Sequence, residues 1–220
     1  MALNFEQARK NMIDCQIVPN NIVDQRIIDA MATTPREEFV PLPMQGIAYA
    51  DDDVQLGMGR ILQEPLTMAR MIQAAKIQSD DVVLLLGAGT GYTAAILGAL
   101  CSTVVGIEPD TALAKQADKL LHDLDVCNAV VISEDQTIGY PRQAPYDVIY
   151  INGGVEEISE DIMHQLKEGG RLVTVVAGTT PYIGEAVCFT RQGDQFIEEH
   201  LFETRSHILT GFEAEAEFSF

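Results

Sequence analysis

Residues 82–95 read VVLLLGAGTGYTAA: five apolar residues, glycines at 87, 89 and 91, then a run of small residues. An unbroken apolar run closed by glycine is a strand buried on both faces, because helices covering a parallel sheet remove the polar alternation of a half-exposed one. The glycines mark a tight turn, and the small residues after them open a helix. A hydropathy scan alone could flag residues 82–107, which carry no charge, as a membrane span. Three glycines within five residues break the helix such a span needs, and a buried strand, turn and helix account for the same apolarity.

The pattern continues outward on both sides. TVVGI (103–107) is a second strand, and TALAKQADKLLHDL (111–124) a helix with Leu113, Ala117, Leu120, Leu121 and Leu124 on one face. AVVI (129–132) and YDVIYI (146–151) are two more strands. Ser159 caps a helix through Leu166, and RLVTVVA (171–177) returns to the sheet. Strands alternating with helices predict an α/β fold, a mostly parallel, doubly wound sheet with helices on both faces. Three segments in 185–220, CFT, FIEEHLFET and EFSF, read as an antiparallel edge. The first 80 residues read as helices near 4–16, 22–33 and 65–76, punctuated by Pro19, Pro35, Pro41, Pro43 and Pro65. We expect one domain over 1–220: a helical N-terminal cap and substrate region (1–80), a cofactor-binding core (81–180) and edge strands (181–220).

Composition excludes several function classes. The chain carries 14 basic and 33 acidic residues, and 22 of the acids fall in residues 81–220 with no Lys/Arg cluster among them. That balance disfavours nucleic-acid and membrane-surface partners. Cys15, Cys101, Cys127 and Cys188 form no CxxC pair and the four histidines no ligand spacing, so neither a metal site nor a disulfide framework is expected. The opening MALNFEQARKNMIDC has the period of an amphipathic helix, not of a signal peptide, and a cytoplasmic location is the expectation.

The loop itself narrows the ligand. A dinucleotide site wants G-x-G-x-x-G, whereas Gly87, Gly89 and Gly91 give G-x-G-x-G and Tyr92 stands at the third required position. A nucleoside without a bridging pyrophosphate fits better, and a nicotinamide-dependent oxidoreductase fits poorly. Glu108 ends the second strand, 21 residues after Gly87, where a carboxylate can accept hydrogen bonds from vicinal ribose hydroxyls. Asp135 follows the third strand, where it can meet an adenine amino group, and Asn152 ends the fourth, pointing at the same crevice.

These features together bring out a family. QIVPNNIVDQRIIDAM (16–31), PREEFVP (35–41), AYADDD (48–53), LLLGAGTGYTAAIL, GIEPDTALAKQA and QLKEGGRLVTVV resemble the protein-L-isoaspartate O-methyltransferases from about residue 8 to 178. The resemblance implies a Rossmann-like methyltransferase fold with a helical N-terminal extension and S-adenosyl-L-methionine as cofactor. The substrates it implies are damaged proteins, methylated on the free carboxylate of isoaspartyl residues as the first step of repair.

The chain departs from the family pattern at three places. Where the family writes G-Q-T-I-S-Q-P, residues 59–65 read GRILQEP, so Gln63 stands at the serine that adjoins the transferred methyl. Leu85 replaces an acid two residues before the first glycine, and Glu134-Asp135-Gln136 replaces G-D-G.

The implied chemistry asks little of side chains. A carboxylic acid of pKa about 4 is already ionised at neutral pH, and alignment with exclusion of water can supply about 7–11 kcal/mol. Arg60 is the candidate for a charge-assisted contact to an anionic acceptor, against the alternative of a solvent-facing arginine paired with Glu64; Gln63 could donate from its amide. Two other readings stay open at this point: the same cofactor with a different acceptor, and a non-catalytic binding protein that keeps the fold.

Overall fold

The computed structural model describes residues 4–180 and 182–214. In chain order the strands are β1 Val54–Gly57, β2 Arg60–Leu62, β3 Val82–Leu86, β4 Thr103–Ile107, β5 Ala129–Ile132, β6 Tyr146–Val155, β7 Leu166–Ala177, β8 Ile183–Gln192 and β9 Gln195–Arg205. The helices are α1 Phe5–Met12, α2 Gln25–Thr33, α3 Pro65–Ala75, α4 Tyr92–Gly98, α5 Thr111–Asp123 and α6 Glu160–Met163. Seven strands form one sheet in the order β5-β4-β3-β6-β7-β8-β9. The first five of these run parallel, and β8 and β9 are antiparallel to their neighbours. No helix among the described residues is long and apolar enough to cross a membrane.

The quoted stretch is the central strand. β3 lies between β4 and β6, with Leu86 opposite Ile107 on one side and Ile151 on the other. Its pleat divides the core: Val83 and Leu85 join the apolar cluster made with α1 to α5, while Leu84 and Leu86 join a second cluster that includes Ile162, Leu209 and Phe212. Crossing from β3 to β4 on one side and to β6 on the other leaves a crevice at the carboxyl ends of the strands.

Several boundaries differ from the expected ones for identifiable reasons. The first helix stops at Met12 and continues as a π turn, Ile13–Ile17, and a 3-10 turn, Val18–Asn20, because Pro19 has no amide to continue the ladder. The helix capped by Ser159 ends at Met163, not Leu166; β7 starts at Leu166 and shifts register before Arg171, with Gly169 in a left-handed conformation between them. The expected strand EFSF lies outside the described residues.

Two elements not expected from the sequence pattern sit over the crevice. One is the hairpin β1–β2, a separate two-stranded sheet closed by Met58 (φ 54°) and Gly59 (φ 72°). Two left-handed residues give the turn whose twist matches a short hairpin. Val54, Leu56 and Leu62 point inward, and Arg60 ties the hairpin to the main sheet through Glu108, the residue after β4. The other is the segment 206–212, which leaves β9 and crosses the strand ends. Gly154 donates its N–H to His207 O at 2.7 Å, Leu209 donates to Gly154 O at 2.8 Å, and Glu156 donates to Phe212 O at 2.9 Å.

Two substitutions test this framework. Gly91 has φ 94° and a β-carbon there would stand 3.1 Å from Ala117 Cβ, so Gly91→Ala is expected to cost about 1–3 kcal/mol in urea unfolding. Glu108→Gln should cost about 3–5 kcal/mol, because it leaves the buried guanidinium of Arg60 without its carboxylate. The double variant Glu108→Gln/Arg60→Met should recover most of that loss, since it leaves no unpaired charge.

Candidate functional site

The glycine turn supplies the floor of the crevice. Gly87, Gly89 and Gly91 have φ values of 76°, 56° and 94°, a region that residues with a β-carbon seldom enter. This turn aims Gly89 N–H at Glu108 Oε2, 2.9 Å away. Asn152, in the distal part of β6, donates Nδ2–H to Gly87 O at 2.9 Å and accepts from Thr93 Oγ1 at 3.3 Å. Gly87, Gly89, Glu108 and Asn152 therefore meet at one place, while Gly91 begins α4 and lets it pack on α5. Asp135 is exposed and caps the turn Gln136–Ile138, accepting from Thr137 N and Oγ1 at 2.9 and 2.7 Å. The residue that turns inward is its neighbour Gln136, fully buried, whose Nε2 donates to Thr210 O at 2.7 Å.

The chain's own side chains fill the space above this floor. Arg60 Nε lies 3.2 Å from both Glu108 oxygens and a second guanidinium nitrogen 3.1 Å from Oε1. It pairs with Glu108 and not with Glu64, and it is 6% exposed. The remaining guanidinium nitrogen donates to Thr210 Oγ1 at 3.0 Å. Leu209 covers Gly87 so closely that a β-carbon there would stand 2.8 Å from Leu209 Cδ1, and Leu56 Cδ1 covers Gly89 in the same way at 3.3 Å. In this arrangement Arg60, Leu209 and Leu56 lie directly over Glu108, Gly87 and Gly89, the positions at which the sequence places a nucleoside.

The neighbouring space around Gln63 is equally tight. Gln63, Asp53, Thr67, Gly153, Gly154 and His207 surround a chamber that a water-sized sphere can enter over about 10 Å³, room for about one water. Gln63 is buried with its Nε2 on Met71 Sδ at 3.6 Å and its Oε1 without a partner. Asp53 accepts from Glu64 N at 2.8 Å and pairs with His207 Nε2 at 3.1 Å. Burial raises the Glu64 carboxyl above its ordinary range, against the hydroxyl of Thr67 that pulls it down.

Tyr92, the residue that breaks the dinucleotide pattern, links the N-terminal region to this loop. It packs edge-on against Phe39, and the guanidinium of Arg36 lies 4.9 Å over its ring. Arg36 is fully buried and donates to two carbonyls, Ala48 O and Gln63 O, each at 2.6 Å. Without a carboxylate beside it, burial lowers the Arg36 pKa and raises that of Tyr92. Leu85, at the position of the missing acid, is fully buried among apolar neighbours.

Sequence reasoning missed Leu56, Thr93, Gln136, Leu209 and Thr210. The last two belong to a segment more than a hundred residues from the glycine turn, whose only local signal is that ILTGF interrupts an acidic tail.

Comparison with known proteins bears on this geometry. A family model for protein-L-isoaspartate(D-aspartate) O-methyltransferase matches residues 7–209. A protein-L-isoaspartate O-methyltransferase from Koribacter versatilis is 43% identical over 172 residues, 78% of either chain. Another from Rhodopseudomonas palustris is 38% identical over 203 residues, 92% of this chain and 93% of that one. A solved protein-L-isoaspartate O-methyltransferase superposes with a TM-score of 0.81 at 26% identity, covering 92% of this chain and 66% of that one. A Plasmodium falciparum structure in complex with S-adenosyl-L-homocysteine shares the fold at 16% identity, with a TM-score of 0.77 and 95% and 99% covered. The glycine turn with its strand-end carboxylate thus sits in a chain that belongs to the protein-L-isoaspartate(D-aspartate) O-methyltransferase family.

Proposed function

We propose that this chain carries the activity of its family, S-adenosylmethionine-dependent methylation of the free carboxylate of isoaspartyl residues in damaged proteins. The observation that carries the reading is the convergence of the glycine turn, Glu108 and Asn152 at the strand ends of a chain matched to the family over residues 7–209. An isoaspartyl carboxylate is ionised at neutral pH, so the acceptor needs no base. What it needs is position and the removal of water. Gln63, anchored through its carbonyl by the buried Arg36, is the residue we assign to the acceptor side.

A second reading has one observation in its favour. His207 and Asp53 form a pair beside Gln63, an arrangement that suits an acceptor whose proton must be removed, such as a hydroxyl or an amine.

Incubation with methyl-labelled S-adenosylmethionine and matched isoaspartyl and aspartyl peptides decides between the two. Label that depends on the isoaspartyl linkage is the expected outcome, and its absence refutes the first reading. Transfer to proteins free of isoaspartyl groups, lost in His207→Asn, is the signature of the second.

A further inference from the structure

An ionised carboxylate offers about four acceptor positions, and those of Glu108 are all taken. Oε1 accepts from Asp110 N at 3.1 Å and from Arg60; Oε2 accepts from Gly89 N at 2.9 Å and from Arg60. Nothing remains for the hydroxyls of a ribose. Glu108 is fully buried and the Arg60 side chain only 7% exposed, so this is a dry pair that a ligand cannot share.

The group that fills the site sits at the turn end of a short hairpin. β1 and β2 pair only with each other, through four and three residues, and their turn residue Met58 is 73% exposed. Short two-stranded hairpins are marginal on their own and belong to the parts of a fold that open at low cost. Val54, Leu56 and Leu62 anchor its strands in the core, and its turn end is held over the crevice by Arg60, with Glu108 on one side and Thr210 of the crossing segment on the other.

We propose that Arg60 is a built-in occupant of the cofactor's nucleoside position, a latch that must leave Glu108 before S-adenosylmethionine can bind. The proposal rests on the reading of Glu108 as the nucleoside carboxylate. On binding, Glu108 exchanges the guanidinium for the vicinal hydroxyls of the ligand, the turn end of the hairpin around Met58 shifts outward, and Arg60 moves into water. No covalent bond changes. The open arrangement is the binding-competent one, and the apparent affinity is reduced by the fraction of molecules that occupy it.

Calorimetric titration of S-adenosylhomocysteine into the wild-type chain, Arg60→Ala and Arg60→Gln tests the latch. The glutamine variant keeps a polar side chain of the length the family writes there, in case the alanine variant fails to fold. Both variants are expected to bind at least about tenfold more tightly than the wild type, as they would if the closed arrangement outweighs the open one by about ten to one. In the wild type, saturating S-adenosylhomocysteine should speed amide hydrogen exchange in residues 54–62. Equal affinity in all three proteins, or no binding by either variant, overturns the latch. The methyl-transfer reading fails separately, when a variant binds S-adenosylhomocysteine but labels no isoaspartyl peptide.

Discussion

A single carboxylate holds the top of this molecule together. Glu108 accepts the amide of Gly89, which fixes the glycine turn after β3, and the amide of Asp110, which fixes the start of α5. Its remaining capacity is spent on Arg60, which pins the β1–β2 hairpin, and through Arg60 it reaches Thr210 in the segment that crosses the strand ends. The glycine turn, the hairpin and, through Arg60, the crossing segment thus converge on one buried side chain. A buried ion becomes tolerable only when every acceptor position is met, and here the protein meets them all from its own backbone and one guanidinium.

The central sheet was legible because its signals are local. Five apolar residues before a glycine turn, an Asp that accepts from Ala112 and Leu113 to cap α5, and a Ser that caps α6 act within a few residues of themselves. Glu108 could be placed for the same reason, since it directly follows a strand, whereas Asn152, expected to end its strand, lies within β6, which runs on to Val155. Their partners were not legible. Arg60 and Glu108 are 48 residues apart and Arg60 and Thr210 are 150 apart, and no periodicity encodes such pairings. Asp135 shows the limit at close range: the acid on the predicted loop caps a turn in solvent, and the adjacent Gln136 is the side chain that faces inward. A one-residue choice of that kind is settled by the turn and its neighbours, not by residue type.

Arg36 answers a different question, how the first 80 residues are fastened to the sheet. A fully buried guanidinium without a carboxylate is costly, and its donors go to Ala48 O and Gln63 O while its face lies over Tyr92. Tyr92 opens α4 directly after the glycine turn. The same contact therefore sets the glycine turn against β2's exit and holds the backbone of Gln63 in place. Changing Tyr92 to the glycine of a dinucleotide motif would remove the surface on which Arg36 rests, which is a structural reason for the aromatic residue at that position.

The departure from the family pattern at position 85 has a reason in the packing around it. Position 85 is wholly buried in apolar surroundings. An acid there would be a carboxylate buried among apolar side chains. The desolvation cost of an unmatched buried carboxylate is several kcal/mol, on the order of half a domain's stability. Above the glycine turn the crevice is closed by the Arg60–Glu108 pair, whose opposite charges match. Any ligand of this crevice has to outcompete a bond that the chain makes with itself.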